Sequence, residues 1–306
     1  MPGRRAMQTA TSNYLKGAAC GLSAVSIWAG WSVFTRLAVT TKLDAWDITA
    51  LRFGVAALLL LPVIFRRAKT VDGLSWPALL LLVAGGGAPF VMLSAAGLRF
   101  APAHDQAALS PGFSPLFVAL IAAVWLRQPL ETVRKIGLAL ILAGALVIVF
   151  AQEIAWTGAR SLGHVLFLSA SFLWACFTVV MRQTKIEPLR AVALVSIGSS
   201  VIYLPLYFAW HGTRLTELPL NELGLHAFFQ GVMVTIVSLL LYGRAVGTLG
   251  ASAGAAFGAL GPALSALLAI PLLGEWPTTA DWIAIMLVSF GVYLASGGLI
   301  STRTVN

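Results

Sequence analysis

The chain has 306 residues, of which 59% are apolar and 10% are charged, and its mean hydropathy is +0.90. Such values exclude a soluble globular domain and indicate a protein of the lipid bilayer. The formal net charge of +9 would favour nucleic-acid binding in a soluble protein. In a membrane protein, basic residues mark one side of the bilayer, so we expect no nucleic-acid partner.

Ten apolar stretches of about 20 residues, long enough to cross a bilayer as helices, follow one another along the chain. They cover approximately residues 15–37, 46–65, 76–98, 103–126, 133–151, 162–182, 189–210, 222–243, 250–273 and 279–300. They lack the alternation of barrel strands, and a helix pairs its own backbone groups in lipid. We therefore expect an all-α membrane protein with one membrane domain over residues 1–306 and no separate soluble domain.

The second half of the chain repeats the first. The segment Trp28–Arg36 resembles the segment Trp174–Arg182, which lies at the equivalent place in the second half. Five helices per half is an odd number, so the second repeat must enter the membrane from the opposite face. We expect two inverted five-helix repeats, residues 15–151 and 162–300, around a central cavity. Such repeats are typical of transporters whose two halves move against each other.

A further match joins Pro115 to Pro262 and Gly144 to Gly291. Both prolines fall near the centres of the fourth and ninth spans, where proline interrupts a helix. Matched interruptions in the two halves point to a transporter's binding site, so we predict that Pro115 and Pro262 act as hinges. Proline is also common in membrane helices for packing reasons alone, and that alternative stays open.

Polar and aromatic side chains follow one helical face in several spans, at intervals of three, four or seven residues. The candidate substrate-binding residues are Trp28, Trp31, Ser32, Gly86, Gln106, Ser110, Ser114, Trp174, Thr178, Gln230, Ser238 and Tyr242. Glutamine is costly to bury, and tryptophan prefers the membrane surface to mid-span. Such tryptophans would stack on a flat or apolar substrate. The alternative is packing, since serine, threonine and glycine are normal where membrane helices meet.

Arg52 lies inside the second span, where a charge must face the protein interior, water or the headgroups. A functional role and snorkelling to the membrane surface are both open. The other basic residues divide unequally between the two sides. One side carries Arg4, Arg5, Lys16, Arg66, Arg67, Lys69, Arg127, Arg134, Lys135, Arg182, Lys185, Arg190, Arg244 and Arg303, and the other carries Arg36, Lys42, Arg99, Arg160 and Arg214. By the positive-inside rule, both termini are cytoplasmic.

Several signatures are missing from the sequence. It has no phosphate-binding loop of the Gly-x-x-x-x-Gly-Lys-Ser/Thr type, and its four histidines have no metal-ligand spacing. No acidic residue falls at the middle of a predicted span, although proton-driven drug exporters usually keep a carboxylate there. We expect no cofactor and no metal, and the pattern favours facilitated or otherwise coupled movement of a metabolite.

These features together resemble the ten-helix EamA-type branch of the drug/metabolite transporter superfamily. The resemblance rests on the duplicated tryptophan segments, on Leu51-Arg52-Phe53, on the segment 97–103, and on the segments 115–144 and 262–291. It implies a cavity lined mainly by helices 1, 3, 4, 6, 8 and 9, and export of amino acids or other small metabolites across a bacterial inner membrane. The family often has Gly-Glu after the fourth span. Here that place holds Arg127-Gln128, while the second repeat keeps Gly274-Glu275.

We therefore predict an exporter of amino acids, aromatic or apolar ones among them, that works by alternating access in the lipid bilayer as a multi-pass protein. The oligomeric state is open, with a monomer as the working expectation. The alternatives are a proton-coupled drug exporter and an intramembrane lipid-modifying enzyme. The enzyme alternative lacks paired acid and base residues within the spans, so we do not expect catalysis.

Overall fold

The computed structural model describes residues 2–66, 74–124, 131–150, 158–249 and 257–296, and within these the side chains of residues 2–12, 64–66 and 122 are not described. Several residues used above lie outside the described side chains. They are Arg4, Arg5, Arg66, Arg67, Lys69, Arg127, Gln128 and Arg303.

The described residues form helices α1 to α10, one for each predicted span. The bounds are α1 Pro2–Thr41, α2 Ala45–Arg66, α3 Trp76–Gly86 and Ala88–Gly97, α4 Ala103–Leu109 and Ser114–Val124, α5 Thr132–Phe150, α6 Ala159–Thr184, α7 Pro188–Leu206, α8 Leu220–Leu249, α9 Gly261–Leu273 and α10 Thr279–Ala295. A π-helical turn, Tyr207–His211, continues α7, and the middle of α8 is π-helical over Phe228–Val237. The described part of the chain contains no strand, which confirms the all-α membrane fold.

Seven of these helices are long and apolar enough to cross a membrane, and α9 and α10 are shorter apolar helices. The remaining span, α4, is broken into two short helices by residues 110–113. Backbone groups in lipid must be paired, so such a break is tolerated only where protein or a cavity surrounds it. The break in α4 therefore lies next to the interior of the protein.

The break in α3 has an identifiable cause at Gly87. A Cβ added there would lie 2.1 Å from both the Ser199 hydroxyl oxygen and the Val83 carbonyl oxygen, so only glycine fits. The backbone N–H of Ala88, freed by the break, donates to the same Ser199 hydroxyl at 3.0 Å. A serine of the second repeat thus satisfies the interrupted helix of the first.

The helices pack in a pattern that matches the duplication. Helix α1 packs on α8 and α9, and its repeat counterpart α6 packs on α3 and α4. Helix α2 packs on its counterpart α7, and α5 packs on its counterpart α10. In the last pair, Gly144 and the matching Gly291 both lie where a Cβ would meet the neighbouring backbone at under 3.0 Å. Each helix thus meets the opposite repeat through an equivalent surface, which is the geometry of an inverted repeat.

The bundle has two ends, which we name by one residue each. The Arg36 face holds the end of α1, the connection from α3 to α4, the beginning of α6 and the connection from α9 to α10. The Arg182 face holds the end of α6 and the beginnings of α5 and α9.

Candidate functional site

A cavity of about 540 Å³ lies between the two repeats. Helices α1, α3, α4, α6, α8 and α9 contribute to its wall, and so do α2, α5 and α10 through Arg52, Arg134 and Val292. Ten of the predicted site and hinge residues line it. They are Trp28, Trp31, Ser32, Gln106, Ser114, Pro115, Trp174, Thr178, Tyr242 and Pro262. The volume is in the range of sites for small molecules.

Trp28 and Trp31 form one aromatic side of the cavity, and each is held by a polar residue of α8. The Trp28 indole N–H donates to the Ser238 hydroxyl at 2.8 Å, and the Trp28 ring lies 5.2 Å from the Tyr242 ring. The Trp31 indole N–H donates to Gln230 Oε1 at 2.8 Å. Gln230 and Ser238 are themselves buried behind the wall, so they position the tryptophans.

Trp174 forms the opposite aromatic side. Its ring lies between Phe90 and Phe177, with ring centroids 5.0 and 5.1 Å away. The Thr178 hydroxyl, one turn along α6, donates to the Trp174 carbonyl at 2.8 Å, so its proton is used within the helix. The two equivalent tryptophans, one from each repeat, thus face the same space from different helices.

The polar part of the wall lies between these two sides. The Ser32 hydroxyl donates to Gln106 Oε1 at 2.6 Å, and both residues are buried in the protein. The Arg52 guanidinium carbon lies 5.5 Å from the centre of the Trp31 ring. Arg134 and Arg182 line the end of the cavity near the Arg182 face, and the Arg182 side chain is exposed. The cavity therefore runs from Arg52 towards that face.

Besides Gln230 and Ser238, two of the predicted site residues do not line the cavity. Gly86 packs against the Phe177 ring, where an added Cβ would lie 3.0 Å from the ring atoms, and it is not part of the cavity wall. Ser110 is fully buried at the break in α4, and its hydroxyl has no hydrogen-bond partner there. The close approach of α3 to α6 explains the position of Gly86.

Pro115 and Pro262 both stand at the second residue of a helix, where the missing N–H of proline costs no hydrogen bond. The helix break in α4 is just before Pro115, and α9 begins just before Pro262. Both prolines line the cavity. Their role as hinges stays a prediction.

An ion pair joins the two repeats on the Arg36 face. The Arg36 Nε donates to Glu275 Oε1 at 2.7 Å, and Glu275 Oε2 accepts the backbone N–H of Ala103 at 3.1 Å. Arg36 also donates to the Leu98 carbonyl. Gly274 ends α9 in the left-handed conformation, with φ of 66°, and turns Glu275 towards α1. We call this contact the Arg36 latch, and it joins the two repeats one turn beyond Ser32.

A buried cluster of charged residues lies on the same face. Arg160 donates to Asp105 at 2.7 and 2.9 Å and to Asp281 at 3.3 Å, and the His164 ring lies 2.8 Å from Asp105. His104 lies 3.4 Å from Asp105, and neither of its ring nitrogens has a hydrogen-bond partner. The cluster joins α4 of the first repeat to α6 and α10 of the second.

Three of these residues have their ligand atoms within 4.8 Å of one another, close enough to hold a metal ion. They are His104, Asp105 and Asp281. The Arg160 guanidinium already supplies a cation to both carboxylates at this point. We therefore assign no metal here.

Sequence reasoning missed the latch and the cluster because their members are far apart in the chain. Arg36 and Glu275 are separated by 239 residues, and Arg160 and Asp105 by 55. The sequence signal for the latch was the Gly274-Glu275 pair of the second repeat, because the equivalent place in the first repeat has no acidic residue. The sequence places Arg52 inside the second span, but its position over Trp31 depends on how α2 packs against α1.

Comparisons with known proteins agree with this fold. A model of the EamA-like transporter family matches residues 15–150 and again residues 161–297. An uncharacterised transporter of Bacillus subtilis (strain 168), YyaM, is 24% identical over 284 residues, which cover 88% of this chain and 92% of that protein. A crystal structure of a protein that is 17% identical superposes with a TM-score of 0.65 and covers 94% of this chain and 99% of that one. At that identity the likeness concerns the fold alone.

Proposed function

Because the chain belongs to the EamA-like transporter family, we propose that it exports amino acids or related small metabolites, aromatic or apolar ones among them. The family model matches both halves of this multi-pass membrane protein, so its function is membrane transport of a small molecule. The substrate class and the mechanism are the parts that we add.

The observation that carries the proposal is the cavity between the repeats. Its wall combines aromatic rings from both repeats with a few polar groups, which suits a solute with an apolar body and a polar end. An amino acid with an aromatic or apolar side chain has this form. Trp28 and Trp174 would contact the side chain, and Ser32 and Gln106 would face its polar end.

The mechanism that we propose is alternating access of this cavity to the two faces. The Arg36 latch and the buried cluster around Asp105 and Arg160 hold the two repeats together at one end, while the cavity runs towards exposed Arg182 at the other. Both ends cannot open at once without leaving a pore. Movement of one repeat against the other would open the latch and close the Arg182 face.

The unequal distribution of basic residues sets the orientation in this proposal. Lys16, Arg134, Lys135, Arg182 and Arg244 belong to the Arg182 face, which the positive-inside rule makes cytoplasmic. Export then begins with substrate entering the cavity from the cytoplasm of a bacterial cell, with both chain termini on that side.

The proposal is tested with purified protein reconstituted in liposomes that contain radiolabelled amino acids. We expect efflux of aromatic or apolar amino acids down their gradient, at a rate above that of protein-free liposomes. If no member of a panel of all common amino acids moves, the substrate class is wrong.

A proton-coupled exporter is the second candidate, and the buried cluster favours it. His104 and His164 adjoin Asp105 in the part of the bundle that must open during transport. Imidazoles and carboxylates inside a membrane protein are the side-chain types that form proton relays in transporters. Proton coupling predicts that a pH gradient drives uphill efflux and that an ionophore, which dissipates the gradient, abolishes it. Efflux that the ionophore leaves unaltered would exclude coupling.

A further inference from the structure

The cavity wall is strongly unbalanced in charge. Arg52, Arg134 and Arg182 line it, and among its described lining residues there is no aspartate or glutamate. A cation inside a membrane protein is costly unless an anion or water faces it. The imbalance therefore points to a ligand that brings negative charge into the cavity.

Arg52 is the innermost of the three cations, and the described residues leave it without an ion pair. Its Nε is buried and has no hydrogen-bond partner. Snorkelling would carry the guanidinium to the membrane surface, but it lies over Trp31, which is only 5% exposed. Trp31 is fixed by its bond to Gln230, and Gln230 in turn donates to Thr35 at 3.1 Å. The cation thus lies over a buried, hydrogen-bonded ring at the cavity wall.

The neutral groups of the wall also offer donors. The Ser32 hydroxyl proton goes to Gln106 Oε1, so the Gln106 amide nitrogen keeps its two N–H groups, for which the described residues supply no hydrogen bond. The Trp174 indole N–H has no hydrogen-bond partner in the described part of the chain either. The hydroxyl protons of Ser114 and Thr178 are used by backbone carbonyls at 2.8 Å. The described wall residues therefore offer unbonded N–H groups to a ligand, but no anionic acceptor.

We propose that Arg52 and Gln106 form a binding site for the carboxylate of the substrate, so that the transported molecules are organic carboxylates with an aromatic or apolar body. This inference rests on the proposed function and specifies the chemistry of the substrate for the same cavity. The guanidinium offers a charged, forked donor to the carboxylate, and the Gln106 amide adds a neutral donor. Arg134 and Arg182 raise the local concentration of anions at the cytoplasmic end.

The experiment compares 3-phenylpropionate with its neutral amide, 3-phenylpropanamide, and with phenethylamine, by calorimetric titration of the purified protein. A charged hydrogen bond to a carboxylate predicts that the acid binds roughly 10- to 100-fold more tightly than the amide. Phenethylamine is expected to bind most weakly, because the described lining residues offer an ammonium group no carboxylate. Equal binding of acid and amide, or no binding of the acid, overturns the proposal.

Variants separate the site from the general charge of the protein. Arg52→Gln is expected to lower 3-phenylpropionate affinity roughly 10- to 100-fold while binding of the amide stays unchanged. Gln106→Glu keeps the shape but places an anion beside the site, and a similar loss is expected without any change to Arg52. Arg99→Gln removes an exposed arginine outside the cavity wall and serves as the matched control. A loss shared by all three variants contradicts the proposal.

The same variants distinguish the failure of this proposal from failure of the proposed function. If amino acids are transported and Arg52→Gln transports phenylalanine as fast as the unaltered protein does, the carboxylate site is wrong and export stands. If no amino acid moves while 3-phenylpropionate binds through Arg52, the site stands and amino-acid export fails. Circular dichroism and thermal unfolding in detergent check that each variant is folded.

Discussion

The Arg36 latch should hold the protein closed on one face, and its removal should open that face. Glu275→Gln keeps the size of the side chain and an oxygen for the Ala103 N–H, but it removes the negative charge that attracts Arg36. The two charged side chains are 19% and 18% exposed, and the N–O distance is 2.7 Å. The contact is therefore intermediate between a surface ion pair and a buried one.

The magnitude follows from these two limits. Surface pairs contribute about 0–1 kcal/mol, and breaking a fully buried pair costs about 3–5 kcal/mol. Since the pair is partly exposed and solvent screens it, we assign the latch a stabilisation of about 2 kcal/mol. That energy corresponds to an increase of about 30-fold in the ratio of molecules open to closed on the Arg36 face.

A cysteine placed just inside the latch reports this opening. Ser32→Cys is suitable because Ser32 is 2% exposed, lines the cavity and lies one turn before Arg36. The two natural cysteines, Cys20 and Cys176, are free and must first be changed to alanine. A membrane-impermeant thiol reagent is then applied to each face separately in oriented vesicles. Glu275→Gln should raise the labelling rate from the Arg36 face by about 30-fold, following the change in the open population.

A neighbouring ion pair supplies the control. Lys42 and Glu222 pair on the same face at 2.6 Å, but their side chains are 58% and 39% exposed. An exposed pair contributes little, so Glu222→Gln should leave labelling within about twofold of the parent protein. If Glu275→Gln also leaves labelling from the Arg36 face unchanged, the latch does not hold the cavity closed and the reasoning is refuted.

Three further predictions follow from the packing of the interior. Trp174→Ala should abolish most amino-acid efflux while the protein still folds in the membrane, whereas Trp76→Ala, at a 77% exposed position, should not; equal efflux in both would remove Trp174 from the site. Gly85→Ala should lower the thermal unfolding temperature more than Gly86→Ala. The new Cβ of Gly85→Ala would lie 2.4 Å from a carbonyl oxygen of α6, whereas that of Gly86→Ala would lie 3.0 Å from a ring that can shift. The reverse order of unfolding temperatures would contradict the packing. Asp105→Asn should destabilise the protein by about 3–5 kcal/mol in detergent unfolding, because Arg160 loses its two shortest contacts to a buried carboxylate and keeps only the 3.3 Å contact to Asp281. A change under about 1 kcal/mol would refute that role.

The spans were predictable because lipid imposes a local condition on each of them. A helix pairs its own backbone groups, so apolar length alone places it, as the prediction of 133–151 against the observed Thr132–Phe150 illustrates. The break at Gly87 was not predictable in the same way, because its spare N–H is satisfied by Ser199, 111 residues from Ala88. Three glycines in a row, Gly85, Gly86 and Gly87, predict a close approach to another helix, but the sequence does not identify which helix that is.

The site was predictable to a similar depth. Helical spacing and the mid-span tryptophans selected Trp28 and Trp174, and both line the cavity. The same spacing also selected Gln230 and Ser238, which hold tryptophan rings from behind. Periodicity identifies the polar face of a helix, but the choice between the cavity and its supporting layer depends on rotation of neighbouring helices. That rotation is a property of the packed bundle.

The duplication finally bears on how the two faces differ. Arg36 and Arg182 occupy equivalent places in the repeated tryptophan segments, and the place equivalent to Glu275 holds Gln128, which is outside the described residues. Closure on the Arg36 face therefore gains the attraction of an ion pair, while its counterpart on the Arg182 face has no acid at that position. Arg182 forms no ion pair with any described residue, and Arg134 is a second cation on the same cavity wall. Closing that end brings like charges closer, at a cost that a bound carboxylate would offset. An anionic substrate and closure of the Arg182 face would then favour each other, because each reduces the electrostatic cost of the other.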